Sequence, residues 1–152
     1  MRIDIDKTQY ENIIKALEIS SFVYGDISDF VDKKYKKDTN NFENVAKELL
    51  QHAEEFDFTK NTENFEGEII LREEYYGKLL DDLFLYDDHQ LFEGLAAKLG
   101  WRDFCGKYTK EEINEMSRKN DGYLGVPLYD FEKKYYDEFN ENEYERLFIK
   151  EK

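Results

Sequence analysis

The sequence has few of the residues that cross-link or interrupt a chain. Its single cysteine, Cys105, permits no internal disulfide, so we expect a reducing compartment, the cytoplasm. One proline and eight glycines in 152 residues leave few helix breakers. No apolar run approaches the ~18 residues that a membrane span needs, and the first residues lack the pattern of a signal peptide. We therefore expect a cytoplasmic protein that does not bind membranes.

Basic residues are also scarce. The chain has 22 lysines and arginines against 36 aspartates and glutamates, which gives a formal charge of −14. Such a surface repels phosphate, so direct binding to nucleic acid is disfavoured. The same charge suits a basic protein partner, or a nucleic-acid mimic whose carboxylates are spaced like phosphates.

Sequence signals for catalysis are few. The chain has only two histidines, and no nucleophile elbow, phosphate-binding glycine loop or dinucleotide fingerprint occurs. Cys105 has no histidine close in sequence and fits an inert thiol better than a nucleophile. The sequence therefore predicts no cofactor and favours a protein without enzymatic activity.

One set of residues keeps an enzymatic alternative open. Asp82, Asp88, His89 and Glu93 offer oxygen and imidazole donors near one place in the chain, with His89 and Glu93 four residues apart. They would be the first ligands to test in a divalent-metal-dependent hydrolase. A capped helix start with exposed acids explains the same residues without a metal.

Aromatic residues are abundant enough for a packed core. Twelve phenylalanines and twelve tyrosines are enough to build such a core. The single proline, the few glycines and the many Glu, Lys and Leu residues predict a mainly α-helical fold. The length predicts one compact domain over residues 1–152. We expect about six or seven helices. Short strand signals at Arg2–Asp6 and Arg146–Ile149 allow a minor β-ribbon between the termini.

The stretch from Leu71 to Phe104 predicts a central antiparallel helical hairpin. Its first apolar stripe includes Tyr75, Leu79 and Leu83, and its second includes Leu91, Leu95 and Leu99. Asp87 or Asp88 between them offers an N-cap for the second helix. Two stripes this close in sequence would bury each other in a hairpin.

Local signals predict several further boundaries. Thr8 to Glu11 and Thr109 to Glu112 have the form of capping boxes that begin helices, and Gly25 is expected to end one. Residues 57–67 have the composition of a loop, and Glu68–Leu71 fits either a strand or a lead into the hairpin.

Two stretches have the composition of a partner-binding surface. Residues 130–145 hold seven acids interleaved with aromatic residues, among them Tyr135, Tyr136 and Phe139. Trp101 and Arg102 form the second candidate together with the apolar loop 123–129, which includes Tyr123. Acids speed the encounter with a basic protein, and aromatic anchors supply affinity. The alternative is that these residues pack on the core.

The sequence thus predicts a non-enzymatic acidic domain that engages a basic protein. Inhibitors, immunity proteins and antagonists of host defence share this profile of charge and aromatic content, by analogy alone.

Overall fold

The structure is a computed structural model that describes residues 4–148. Within that range the chain is mainly helical, with five α-helices and one two-stranded sheet. The helices are α1 (Lys7–Phe30), α2 (Lys36–Leu50), α3 (Glu73–Lys107), α4 (Lys110–Lys119) and α5 (Gly125–Asn142), and the strands are β1 (Thr62–Phe65) and β2 (Glu68–Leu71). Short 3-10 turns precede α2 and β1.

The chain divides into two compact units, Met1–Phe84 and Leu85–Lys152. We call them unit 1 and unit 2. Unit 1 contains α1, α2, the β-hairpin and the first part of α3. Unit 2 contains the rest of α3 with α4 and α5.

The core of unit 1 is built around Tyr10 of α1. Its ring stacks on Phe56 at a centroid distance of 4.2 Å and meets the edge of Phe58 at 5.6 Å. Its hydroxyl donates a hydrogen bond to the Leu49 carbonyl at 2.7 Å, so the buried polar atom is satisfied. The other buried members of this cluster are Ile14, Leu50, Ala53, Leu71 and Leu79. The aromatic residues thus join α1 to the segment that follows α2.

The β-hairpin lies where the sequence predicted a loop and a strand. Glu68–Leu71 is a strand, which confirms one of the two interpretations of that stretch. Residues 62–65, which were predicted to be part of a loop, form the strand that pairs with it, with Thr62 opposite Leu71. The two-residue turn, Glu66 and Gly67, has φ angles of 53° and 92°. Positive φ at both positions is the requirement of a tight hairpin turn. Glu-Gly is a weak sequence signal for that turn, so the hairpin was not anticipated.

The predicted helical hairpin at 71–104 is wrong. Residues 73–107 form one helix of 35 residues, and Asp87 and Asp88 are exposed positions within it. Aspartate can cap a helix but does not end one, and no proline interrupts this stretch. The expected helix end at Gly25 is also wrong, because α1 continues through this residue to Phe30. A glycine inside a helix costs only about 1 kcal/mol, which is too little to end it. Five α-helices therefore replace the expected six or seven within residues 4–148.

Of the two predicted capping boxes, one is confirmed and the other is formed by different residues. The capping box from Thr109 to Glu112 is confirmed at α4, with the Thr109 amide donating to Glu112 at 2.8 Å. At α1 the box is formed by Asp6 and Gln9, two residues earlier than expected.

The expected ribbon between the termini falls partly on residues 2, 3 and 149, which lie outside the described residues. Residues 4–6 and 146–148 are not in strands, and the sheet of the described chain is the internal hairpin.

Unit 2 is held by close packing of α5 against the C-terminal part of α3. Phe104 is completely buried and meets Phe131 edge-to-face at 5.6 Å. Phe92 stacks on Phe139 at 5.5 Å. Between these pairs, Gly100 lies against Glu132: a Cβ added to Gly100 would come within 2.8 Å of the Glu132 Cα atom. The absence of a side chain at position 100 therefore sets how closely the two helices approach.

We predict that Gly100→Ala destabilises the protein by about 1–3 kcal/mol, because the backbone of α5 must move to admit the methyl group. Gly94→Ala in the same helix is the matched control, since its Cβ would meet nothing within 4 Å. That change should stabilise by up to about 1 kcal/mol through helix propensity. Chemical denaturation of both variants measures the difference, and equal effects would contradict the close α3–α5 contact.

Candidate functional site

The structure places five of the six predicted partner-binding residues at least partly at the surface of unit 2. Trp101 is 44% exposed and Tyr123 is 73% exposed, and Arg102 is also exposed. Tyr135 and Tyr136 are half-buried. Phe139 is only 2% exposed and packs on Phe92 in the core, so it is not available to a partner in this structure. The alternative of core packing therefore applies to that residue.

Arg102 and Tyr135 meet in a polar network around Asp103. The Asp103 carboxylate accepts hydrogen bonds from the Tyr135 hydroxyl at 2.6 Å and from Arg102 at 2.9 Å, and Lys134 also donates to it. These three donors lower the pKa of Asp103, with the Lys134 bond as the largest cause. Because Asp103 faces two cations, its charge is locally compensated. The network positions α5 against α3 and leaves little free negative charge there.

The segment 123–129 is not the apolar loop that the sequence predicted. α5 begins at Gly125, and Pro127 lies in its first turn, where a missing amide hydrogen costs no helical hydrogen bond. Val126 and Tyr129, three residues apart in α5, are both exposed. The segment is therefore an exposed helix start and remains available as contact surface.

Tyr136 lies next to two carboxylates, those of Glu93 and Glu132. Burial and the charge of Glu93 raise the pKa of Glu132, and burial together with the charges of Glu93 and Glu132 raises the pKa of Tyr136. Neither glutamate forms an ion pair with a lysine, arginine or histidine within residues 4–148. We call Glu93, Glu132 and Tyr136 the acid–tyrosine cluster. It brings uncompensated negative charge beside an aromatic ring.

The alternative metal ligands all lie on one helix. Asp82, Asp88, His89 and Glu93 are all exposed residues of α3. Within residues 4–148 no group of three or more His, Cys, Asp or Glu side chains is arranged to hold a metal ion. One face of a single helix spreads these donors along its axis, so converging ligands would have to come from a second element.

Unit 1 contains a groove that the sequence did not reveal. It has a volume of about 410 Å³ and is formed by α1, α2, the hairpin and the start of α3. Its apolar lining is Ala46, Leu50, Ile69, Ile70 and Leu71. Four glutamates, Glu18, Glu43, Glu63 and Glu73, also line it, with Tyr76 and Lys47. We call this the unit 1 groove. Its residues come from four elements, so no sequence motif identifies them.

Glu18 is the least exposed of the four glutamates that line the unit 1 groove. Burial, and then the nearby charge of Glu43, raise the pKa of its carboxyl group. Burial is the larger cause that raises the pKa of Tyr76, and the charge of Glu18 is the second cause. Glu18 is therefore a partly buried carboxylate that forms no ion pair with a lysine, arginine or histidine in the described part of the chain.

Comparison of the chain with protein-family models, with curated proteins and with solved structures finds no match. Among the described residues, no helix is both long enough and apolar enough to cross a membrane.

We predict that Glu18→Gln raises the melting temperature at neutral pH. The folded-state pKa of Glu18 is raised, so the folded protein holds this proton more tightly than the unfolded chain. Its contribution to stability is therefore lost as pH rises from 4.5, the ordinary value, through the raised pKa. Glutamine removes that loss, so the advantage should shrink as pH falls towards 4.5.

Thermal unfolding between acidic and neutral pH measures this difference. Glu48→Gln, at an exposed position of α2 outside the groove, is the matched control and should change stability little. A Glu18→Gln variant that is less stable than the parent at neutral pH would contradict a raised pKa of Glu18 in the folded protein.

Proposed function

We propose that this protein is a non-enzymatic acidic binding domain that engages a basic protein partner. The observation that carries the proposal is the acid–tyrosine cluster of unit 2, where Glu93 and Glu132 lie beside Tyr136 and form no ion pair with a cation of residues 4–148. A lysine or arginine from a partner would relieve the repulsion between the two carboxylates. It would also meet the tyrosine ring, which attracts cations at its face.

Exposed aromatic residues of unit 2 support the same proposal. Trp101, Tyr123 and Tyr129 are exposed aromatic residues of unit 2, and aromatic residues supply much of the binding energy at protein interfaces. The overall charge of −14 would steer a basic protein towards them. Arg102 takes a positioning role here, because it is held by Asp103 and Tyr135. Phe139 supports the surface from within the core.

The single cysteine supports placement of this interaction in a reducing compartment, and we propose the cytoplasm. Inhibition of a basic enzyme or toxin is the form of action that we propose for this surface. A binder of this kind needs no bound cofactor.

We predict that lysine- and arginine-containing peptides with aromatic residues bind the protein and that acidic peptides of the same length do not. Fluorescence polarisation measures both sets at low and high salt. Raising the ionic strength should weaken binding by about tenfold or more, because salt screens exposed charges. Binding that does not change with salt, or that is equal for both sets, would refute the proposal.

A matched pair of variants locates the binding surface. Glu93→Gln with Glu132→Gln removes the two carboxylates of the acid–tyrosine cluster. Glu141→Gln with Glu145→Gln makes the same charge change at exposed positions elsewhere in unit 2. We expect the first pair to weaken binding of basic peptides about tenfold more than the second, since charge-assisted contacts are worth more than general attraction. Equal losses would mean that only net charge matters.

The same variants identify the natural partner. The experiment is affinity capture from a cell extract with each form of the protein attached to a resin. The candidates are proteins that bind the parent and the Glu141/Glu145 variant but do not bind the Glu93/Glu132 variant. We expect them to have a basic net charge at neutral pH. Candidates that are predominantly acidic would count against the proposed function.

A further inference from the structure

The unit 1 groove has the size and lining of a small-molecule site. Its volume of about 410 Å³ lies within the range of about 300–1,000 Å³ that is usual for ligand pockets. Ala46, Leu50 and Leu71 of its lining are buried, which gives the groove an apolar inner surface. Such sites combine an apolar wall with a few polar groups that orient the ligand. The charges of the groove therefore decide which ligand fits.

The cations near the groove are already paired. Lys47 lines the groove, and its Nζ atom lies 3.2 Å from Oε2 of Glu68. The Nη1 atom of Arg72 lies 3.8 Å from Oε2 of Glu63. Glu18, Glu43 and Glu73 have no ion pair with a lysine, arginine or histidine within residues 4–148. The groove thus presents three carboxylates that no cation of the described chain neutralises.

Glu18 and Tyr76 supply a specific place for a positive charge. Glu18 is partly buried, and its charge acts on the Tyr76 hydroxyl. A carboxylate can accept charge-assisted hydrogen bonds from an ammonium or guanidinium group, and a tyrosine ring attracts the same group. A neutral or anionic ligand would leave the repulsion between Glu18 and Glu43 unrelieved.

We propose that the unit 1 groove binds a small organic cation, with its ammonium or guanidinium group at Glu18 and its apolar body against Leu50, Leu71 and Ile69. The occupant is a free amine and not a peptide segment. A volume of about 410 Å³ suits one compact molecule, whereas a peptide in a groove spreads its anchors over several turns or strand residues. This site lies in unit 1 and does not depend on the proposed function of unit 2.

Matched small molecules test the proposal directly. The probes are hexylammonium and phenethylammonium, with hexanol, 2-phenylethanol and hexanoate as neutral and anionic counterparts. Calorimetry measures their affinities, and NMR of the methyl groups of Leu50, Leu71 and Ile69 locates the bound molecule. We expect the ammonium compounds to bind in the groove about tenfold or more tightly than the alcohols, and hexanoate not to bind.

Glu18→Gln is the decisive variant because it should be at least as stable as the parent. It should weaken ammonium binding about tenfold or more, whereas the matched control Glu48→Gln should leave it unchanged. Loss of binding in a protein of undiminished stability cannot result from unfolding. Methyl-group shifts outside the groove, or equal affinity for alcohol and amine, would overturn the proposal.

Two further arms distinguish other occupants. Millimolar Mg²⁺ or Ca²⁺ should not displace hexylammonium, and full displacement would point to a metal ion as the occupant. A lysine-containing peptide should bind the groove no more tightly than the free amine. If it binds about 100-fold more tightly and loses that affinity in Glu18→Gln, the groove serves a protein partner and the small-molecule assignment is wrong.

Failure of this test and failure of the proposed function are distinguishable. The amine experiment depends on Glu18 and the lining of unit 1, and the peptide experiment depends on Glu93 and Glu132 in unit 2. Either result can stand without the other.

Discussion

The continuity of α3 is the constraint on which the rest of the described structure depends. Over its 35 residues no proline removes a backbone hydrogen bond, so the helix continues past every aspartate and glycine within it. Leu79, near its start, joins the core of unit 1, and Phe104, near its end, is buried in unit 2. Had the helix turned at Asp87, its two apolar stripes would have covered each other. Because it does not turn, each stripe needs other elements to cover it.

The elements that cover α3 differ between the two units. In unit 1, α1 and the aromatic segment after α2 bury Leu79 with Tyr10 and Phe58. In unit 2, α5 packs so closely that only a glycine fits at position 100. Aromatic stacking recurs in both, which explains why a chain with so few long aliphatic runs can still form two cores.

The excess of carboxylates determines what remains for function. Four lysines of the described chain form local pairs one helical turn from a carboxylate: Lys15 with Glu11, Lys78 with Glu74, Lys119 with Glu115 and Lys133 with Asp137. These exposed pairs contribute little stability individually. Within residues 4–148, Glu18 in unit 1 and Glu93 with Glu132 in unit 2 form no ion pair with a lysine, arginine or histidine, and each lies close to a tyrosine. Partial burial raises the pKa of Glu18 and of Glu132, so these two acids are more costly to ionise than exposed ones and are places where an external cation has most effect.

The sequence by itself determined the helical class, the acidity and the helix start at Thr109, because propensity, net charge and capping act over a few residues. Only the tertiary structure decided that α3 is unbroken, that Phe139 is buried and that Glu18 lies beside Glu43. Those outcomes depend on residues far apart in the chain that come into contact, and no local pattern specifies which elements will bury a stripe or surround a charge.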